Sequence, residues 1–348
     1  MVNVAVAGGT SPTLGKSIVE AILATGRHKV IILSRKPSSS NPTTQTESRT
    51  KYGAPVVDID YTSVESQTTM LIDHSIHTLI SVLKILDPTE NINTHSNLLN
   101  AAQAARVERF ILSDWSMAPA THSRVDLFAH KADLHTLGQE HMKSAAEKGE
   151  NVVDCCTIQN GGFMEYFAQG CPDGDLRAGL EDDLMLEYID IATGRFVVPC
   201  KSKNPVVPAR VSMTSLVDIG KLVAAGLDLS KGEMVGHVGI AGMTFSFDRV
   251  VELLGSLQTP ARLVPCHVTA EECRGVAAEK NRAFQEKMAS GGEFDVGLFK
   301  GIMVAQIYAC MCEEEEGGGA MNARLLNELC CEVGATGIED FLRRAWGS

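Results

Sequence analysis

The chain has 348 residues, of which 44% are hydrophobic and 21% are charged, and its formal net charge is −12. This length can bury a sizeable core, and the acidic balance argues against nucleic acid or an anionic membrane surface as a partner. No apolar run is long enough to span a membrane and no basic leader precedes the first strand, so we expect a cytoplasmic protein.

The first half of the chain alternates short apolar runs with helical patterns. The runs predict six strands, at 3–7, 29–34, 54–60, 76–83, 109–113 and 151–159. Helical periodicity is clearest at 14–26, 95–107 and 126–149. Because strand–helix repeats with short turns build parallel sheets covered on both faces, the pattern predicts a Rossmann-type, doubly wound α/β fold.

Beyond Gln159 the pattern becomes irregular. An extended run at 190–199, an amphipathic helix at 215–229 and further helical patterns from about Thr269 predict a smaller α+β lobe over the sheet. Ser215 and Asp218 form a capping signal for the second of these elements.

Two domains are therefore expected. We predict a dinucleotide-binding domain at 1–158, to which part of 205–230 returns, and a substrate-binding lobe at 159–348. The Ser-, Thr- and Pro-rich stretch 36–53 is expected to be a mobile surface loop, and the "EEEEGGG" stretch at 313–319 a solvated turn.

The first turn, within "VAVAGGTSPTLGKS" at 4–17, resembles two nucleotide-binding loops. A P-loop would need a glycine where Thr10 stands, so its spacing fails. A dinucleotide turn needs only a tight bend and the amino end of a helix. The second strand ends in Ser34, Arg35 and Lys36 instead of an acidic residue, which favours NADP(H) over NAD(H) because arginine can pair with a 2′-phosphate. The alternative that Arg35 and Lys36 are solvated loop charges stays open.

The ten cysteines give no metal signal. They contain no CxxC pair and none matches the histidine spacing of a zinc site, so we predict reduced, mostly buried thiols and no bound metal.

Several segments together resemble one family. "AGGTxxxLG" at the start, "RFILSDW" at 109–115, "FAHKADLHTL" at 128–137, "IQNGGFMEYFA" at 158–168 and "SMTSLVDIGKLVAAGLDL" at 212–229 look like the fungal NmrA-like proteins. These belong with the isoflavone-reductase-like, atypical short-chain dehydrogenases. The resemblance reaches to about residue 255, and the last ninety or so residues add little to it.

The resemblance implies a set of NADP(H) contacts. The loop would face the pyrophosphate, Asp60 would lie near the adenine, and Ser81 with Val82 would border the nicotinamide ribose. Asn160 and Phe163 would line the nicotinamide and substrate side. The complete implied set is Gly9, Thr10, Ser11, Leu14, Gly15, Arg35, Lys36, Asp60, Ser81, Val82, Lys131, Asn160 and Phe163.

The chain departs from the family pattern in the loop, where the usual middle glycine is missing and one residue is inserted at Pro12–Thr13. As in the family, no tyrosine is followed by lysine four positions later, so the tyrosine acid of ordinary short-chain dehydrogenases is absent. Lys131 matches the helical lysine that in reductase members binds the nicotinamide ribose and assists proton transfer.

The candidate catalytic residues are Lys131, Asp114 and His135. A buried lysine can act as an acid or base, although ribose binding alone is an equal alternative. His135 shares a helical face with Lys131 but is also typical of a surface histidine, and Asp114 could equally cap a turn. The candidate substrate residues are Trp115, Glu165 and Tyr166.

Three functions remain open. The first is an NADPH-dependent reductase that acts on a C=C or C=N bond of a bulky, conjugated, alkaloid- or polyketide-like substrate in specialised metabolism. The second is a redox-neutral isomerase or cyclase that uses bound NADP(H) as a hydride shuttle or scaffold. The third is a non-catalytic NADP sensor that regulates a partner protein. The sequence leaves the oligomeric state undetermined.

Overall fold

The structure, a computed structural model, describes residues 1–35, 50–177, 180, 185, 187–321 and 324–347. The elements of the first half are β1 (Asn3–Ala7), α1 (Leu14–Ala24), β2 (Lys29–Arg35), β3 (Thr50–Lys51), β4 (Ala54–Ile59), α2 (Val64–Asp73), β5 (Thr78–Ser81), α3 (Pro88–Ala104), β6 (Arg109–Ser116), α4 (Ala129–Glu147) and β7 (Asp154–Gln159). The six predicted strands are all confirmed. Helix α3 begins earlier than predicted because the Asp87 side chain caps it, accepting a hydrogen bond from the Glu90 amide.

The second half is made of shorter elements. They are β8 (Gly162–Phe163), β9 (Ile189–Asp190), β10 (Arg195–Lys203), β11 (Val206–Pro208), β12 (Arg210–Thr214), α5 (Leu216–Gly226), β13 (Gly236–Gly239), β14 (Met243–Ser246), α6 (Phe247–Leu254), β15 (Val264–Val268), α7 (Ala270–Ala289), α8 (Val296–Cys312), α9 (Glu314–Gly317), β16 (Arg324–Leu325), α10 (Leu326–Leu329) and α11 (Ile338–Trp346). The predicted cap of α5 is confirmed, since the Ser215 side chain accepts from the Asp218 amide.

One large sheet organises the molecule. Its strand order is β16-β13-β7-β6-β5-β1-β2-β4-β3, and every pair is parallel except the antiparallel β3–β4. Apolar side chains of α1 and α5 pack on one face, and those of α2, α3 and α4 pack on the other. The predicted doubly wound α/β fold is therefore confirmed.

Residues from both halves of the chain build this sheet. Strands β13 and β16 extend it beyond β7, and α5 packs against α1. The domain boundary at residue 158 stays a prediction, but the sheet itself does not end there.

The lobe has two small sheets and its own core. One sheet has the order β11-β10-β15 with β9 paired to β10, and the other has the order β14-β12-β8. The lobe core contains the buried side chains of Phe167, Phe196, Phe247, Tyr308 and Trp346. Helix α8 contributes to this core and lies next to the carboxyl end of the large sheet, where it can form one wall of a site.

Two segments, 36–53 and 313–319, were predicted to be loops. Most of 36–53 lies outside the described residues, and its end forms β3 and a turn at Tyr52–Gly53. The predicted solvated turn at 313–319 is wrong, since it contains α9 and Glu313 pairs with both Arg124 and Arg274. The acidic run there joins three parts of the molecule through ion pairs.

The cysteines are free thiols, and all of them are buried except Cys266 and Cys331. Across the described ranges, no three His, Cys, Asp or Glu side chains gather as metal ligands would. None of the helices in the described part of the chain combines the length and apolar character needed to cross a bilayer.

Candidate active site

A cavity of about 620 Å³ opens at the carboxyl end of the large sheet. Its lining comes from the first turn at 11–14, from 82–86 after β5, from 113–117 at the end of β6, from 128–131 at the start of α4, and from lobe residues that include α8. Ligands of open α/β sheets bind at this edge because the loops there diverge to opposite faces.

The first turn brings the amino end of α1 to this cavity. Gly15 lies so close to the preceding turn that a Cβ would be 2.8 Å from the Gly9 carbonyl oxygen, so only glycine allows the helix to start here. Ser11 Oγ and Thr13 Oγ1 are 2.8 Å apart, and this contact holds the bend around Pro12. The side chain of Thr13 makes no cap hydrogen bond, and the Lys16 amide donates to the Ser11 carbonyl at 2.8 Å. The amides of Leu14 and Gly15, the first two of α1, are therefore available to an anion.

The turn is also held from outside. The Tyr52 hydroxyl donates to the Thr10 carbonyl at 3.2 Å, a contact that no sequence pattern predicts. Thr10 and Gly9 lie behind the cavity lining, whereas Ser11 and Leu14 form part of it.

The end of β2 carries residues that were predicted for the adenosine side. Arg35 is its last residue and is exposed, and Lys36 lies outside the described residues. Asp60 follows β4, the neighbour of β2, and is exposed; hydrogen bonds from Thr62 lower the pKa of the Asp60 carboxyl. The contacts of Arg35, Lys36 and Asp60 with a nucleotide stay predictions.

At the end of β5, Val82 lines the cavity and Ser81 lies beneath it. Ser81 Oγ is 2.9 Å from His95 Nε2, and the Ser81 carbonyl accepts a 2.8 Å hydrogen bond from Trp115 Nε1. Burial lowers the pKa of His95 to about 4, so this histidine is neutral at physiological pH. Ser81 thus fixes the floor of the site, and the ring of Trp115 forms part of the lining.

Lys131 lies in the first turn of α4 and contributes to the cavity wall. Its Nζ donates to the Asp114 carbonyl, lies 3.9 Å from Asp114 Oδ1 and is 5.5 Å from the centre of the Phe128 ring. Burial lowers the pKa of the Lys131 ammonium, and the charge of Asp114 only partly opposes this effect. A lowered pKa makes this ammonium a better proton donor.

The Asp114 carboxylate is completely buried and binds protein groups. Ser116 Oγ donates to Oδ1 at 2.5 Å, Gln159 Nε2 donates to Oδ2 at 2.5 Å, and His122 Nε2 lies 3.3 Å from Oδ1. Burial alone would raise the pKa of Asp114, but the hydrogen bond with His122 and the charge of Lys131 lower it overall. Asp114 is among the residues that line the cavity, but its carboxylate is bound within the protein and lies beside Lys131, so its predicted catalytic role stays a prediction.

Two predicted site residues lie outside the cavity lining. Glu165 is buried away from the cavity lining; its Oε1 accepts from the Leu216 amide at 2.8 Å, and burial raises its pKa to about 8. It therefore fixes the start of α5 instead of contacting substrate. His135 also lies outside the lining, because its ring stacks on His237 with the ring centroids 3.5 Å apart.

The remaining predictions lie near the lobe. Phe163 and Tyr166 both line the cavity, and their ring centroids are 6.2 Å apart. Burial raises the pKa of the Tyr166 hydroxyl to about 12, so it stays protonated. Asn160 is buried behind them, where its Nδ2 donates to the Gly161 carbonyl and its Oδ1 has no partner among the described residues.

The opposite wall was not predicted. Phe294 and residues of α8, including Phe299, Lys300, Met303 and Met311, line the cavity. The sequence shows α8 as apolar around most of its circumference, which fits ordinary core packing, and no local signal distinguishes the cavity-facing positions.

Comparison with known proteins finds one matching family and two related oxidoreductases. The model of the NmrA-like family matches residues 2–258. Oxidoreductase BOA1 of Botryotinia fuckeliana is 30% identical over 262 residues, which cover 74% of this chain and 76% of the relative. Oxidoreductase swnN of Metarhizium robertsii is 33% identical over 115 residues, which cover 33% and 31% of the two chains.

Solved structures share the fold at low identity. A structure described as AtPrR2 with NADP+ and (+)pinoresinol has a TM-score of 0.67 and 16% identity, and the similarity covers 99% of this chain and 98% of the other. Citrobacter sp. triphenylmethane reductase complexed with NADP(H) has a TM-score of 0.61 and 17% identity, with 99% of each chain covered. Residues 259–347, which include the α8 wall, lie beyond the family model.

Proposed function

The chain belongs to the NmrA-like family, and we propose that it is an NADP(H)-dependent oxidoreductase that reduces a C=C or C=N bond of a bulky conjugated substrate. The observation that carries the proposal is Lys131, a partly buried lysine in the wall of a largely apolar cavity onto which the amino end of α1 also opens. The BOA1 relative is named an oxidoreductase, and the similar reductase structures contain NADP(H).

The residues present fit this cofactor. The free backbone amides at the start of α1, after Thr13, would hold the pyrophosphate. Arg35 and Lys36 would hold the 2′-phosphate, and Val82 would border the nicotinamide ribose. When bound, NADPH supplies a hydride to the substrate carbon.

Lys131 would supply the proton. The atom that becomes electron-rich after hydride transfer needs a donor within hydrogen-bond reach, and the Lys131 ammonium lines the same cavity. Its lowered pKa makes the ammonium a stronger acid, and the Asp114 carbonyl fixes Nζ in place. The apolar side chains around it exclude water from the reacting atoms.

The cavity favours a large, mostly apolar substrate. Its size lies in the range of small-molecule sites, and flexible methionine side chains such as Met303 and Met311 adapt to irregular shapes. A bulky alkaloid- or polyketide-like molecule of specialised metabolism is the class that we propose.

A substrate panel tests the reaction. Purified protein is mixed with NADPH and with (+)-pinoresinol, a triphenylmethane dye and a set of polycyclic enones and cyclic imines, while NADPH absorbance and product masses are followed. Net NADPH oxidation with a reduced product supports the reductase. A product formed without net oxidation would replace it with the redox-neutral isomerase or cyclase, and tight NADPH binding without any product would favour the sensor.

The cofactor has a separate test. Arg35→Ala removes a charged hydrogen bond to a 2′-phosphate, so we expect NADPH affinity to fall by about 10–100-fold while NADH affinity barely changes. Arg27→Ala, which removes an exposed arginine that pairs with Asp228, serves as the control. An equal loss for both nucleotides would contradict the 2′-phosphate role.

A further inference from the structure

A cluster of histidines lies behind the candidate active site. It consists of His122, which follows the short 3₁₀ turn Pro119–Thr121, His135 on α4, and His237 on β13. None of the three lines the cavity, and we refer to them as the histidine cluster. His130 and Asp133 on α4 are the other titratable groups that act on this region, apart from Lys131 and Asp114.

An ion pair and two shorter side-chain contacts connect this cluster to Lys131. Lys131 Nζ lies 3.9 Å from Asp114 Oδ1, and Ser116 Oγ donates to that oxygen at 2.5 Å. Ser116 Oγ is also 3.2 Å from His122 Nε2. A row of polar side chains therefore leads from the cavity wall into the protein.

The row continues to partly exposed groups. The rings of His122 and His237 are neighbours, with centroids 6.4 Å apart. His237 Nδ1 is 3.1 Å from Gln159 Nε2, whose amide also binds Asp114, and the His237 ring stacks on His135. His135 and His237 are both half-buried, so they connect the interior with solvent.

The proposed reaction creates a need for such a row. Reduction of a C=C or C=N bond consumes one proton in addition to the hydride, and it leaves Lys131 as a neutral amine. With substrate and cofactor in an apolar cavity, bulk water cannot return that proton from the front.

We propose that Ser116, Asp114 and His122 return a proton to Lys131 from the side opposite the substrate, with His237 and His135 as its entry from solvent. This inference rests on the proposed reductase function. The cationic His122 ring gives its Nε2 proton to Ser116 Oγ, Ser116 gives its own proton to Asp114 Oδ1, and Asp114 gives a proton to the Lys131 amine. Lys131 ends as ammonium and His122 as neutral imidazole, and His122 regains one proton from solvent through His237.

The test measures proton delivery without any substrate. In full-length, 15N-lysine-labelled protein loaded with NADP+, the exchange of the Lys131 ammonium protons with water is measured by NMR, with Lys131→Met identifying the signal. We expect His122→Gln to slow this exchange about tenfold or more. Ser116→Ala should slow it less, because His122 Nε2 also lies 3.3 Å from Asp114 Oδ1. His141→Gln, on the same helix but bonded to Gln103, is the matched control and should leave the rate unchanged.

A purely structural role gives a different result. If folded His122→Gln and Ser116→Ala proteins keep the wild-type exchange rate, the relay is refuted. Should either variant fail to fold, His237→Phe is used instead, because it keeps an aromatic ring against His135 and removes the entry group. If this variant slows the exchange and added imidazole restores the rate, the relay is supported. If the exchange rate is unchanged, the relay is overturned. NADP+ binding is measured in the same samples, and its absence would refute the proposed function, whereas the exchange rates alone decide the relay.

Discussion

The wall of the cavity that comes from β6 and α4 carries ion pairs and hydrogen bonds, whereas the wall that comes from α8 carries phenylalanine and methionine side chains. On the first wall, each oxygen of the Asp114 carboxylate accepts a 2.5 Å hydrogen bond, and Lys131 is held by the backbone. On the second wall, Phe294 is 54% exposed and contacts Phe299 ring to ring.

The difference separates two tasks. A buried polar network has few alternative arrangements, because every unpaired group would cost free energy, so it can hold a proton donor in one geometry. An apolar wall with flexible side chains tolerates changes of shape and therefore suits the recognition of substrate. We expect variants of the first wall to change kcat and stability and variants of the second to change KM.

The largest effect is expected at Lys131. Lys131→Met removes the proton donor, and kcat with an acceptor from the substrate panel should fall by about 10²–10⁴-fold, because general acid catalysis contributes that much. Lys143→Met, on the exposed side of the same helix, is the control and should retain full activity. Unchanged turnover of Lys131→Met would remove Lys131 from the reaction and leave it, at most, as a ribose ligand.

Removing the central carboxylate of the polar wall should destabilise the folded protein. Asp114→Ala leaves Lys131, Gln159 and His122 without their buried partner, and the free energy of unfolding in urea should fall by about 3–5 kcal/mol. The exposed Asp133→Ala on α4 should stay within about 0.5 kcal/mol of wild type. A loss equally small at Asp114 would mean that the network is not a rigid support.

Glu165 links the sheet side to the lobe and should make stability depend on pH. Its pKa is raised from 4.5 to about 8 by burial, so between these values the folded protein keeps a proton that the unfolded chain has lost. The free energy of unfolding should therefore fall with rising pH over this range, by up to about 1.4 kcal/mol per pH unit, and level off above it.

Glu165→Gln, compared with wild type by urea unfolding at several pH values, isolates this contribution. The variant should lack that fall, while the exposed Glu140→Gln should follow the wild-type curve. If wild type and Glu165→Gln show parallel curves, Glu165 does not hold a proton in the folded protein.

The smallest effect is expected at the apolar wall. Phe294→Ala should change the free energy of unfolding by less than about 0.5 kcal/mol, since the side chain is largely exposed. It should raise KM for a polycyclic acceptor about tenfold, which corresponds to about 1.4 kcal/mol of lost contact. Met288→Ala is the control, because Met288 is exposed and lies outside the cavity lining. If Phe294→Ala instead lowered kcat and left KM unchanged, Phe294 would take part in the chemical step.

The framework of the fold could be predicted because its signals are local. The apolar runs of β1 and β6 and the Ser215 cap of α5 depend on neighbours within a few positions, and all three are present in the structure. The resemblance also identified Lys131 and Val82, and both line the cavity. Glu165 was misplaced because an acidic residue beside aromatic ones looks the same in sequence whether it faces a ligand or a helix end.

The sequence by itself determined the doubly wound sheet, since periodicity and capping are properties of adjacent residues. The family and the lysine at the carboxyl edge of the strands came from the resemblance of several sequence segments to a known family. Only the tertiary structure decided what surrounds that lysine. Gln159 and His237 meet across 78 positions of the chain, and the wall from α8 reaches the cavity only through packing of the lobe. Such contacts depend on how distant elements pack together, and no local pattern records them.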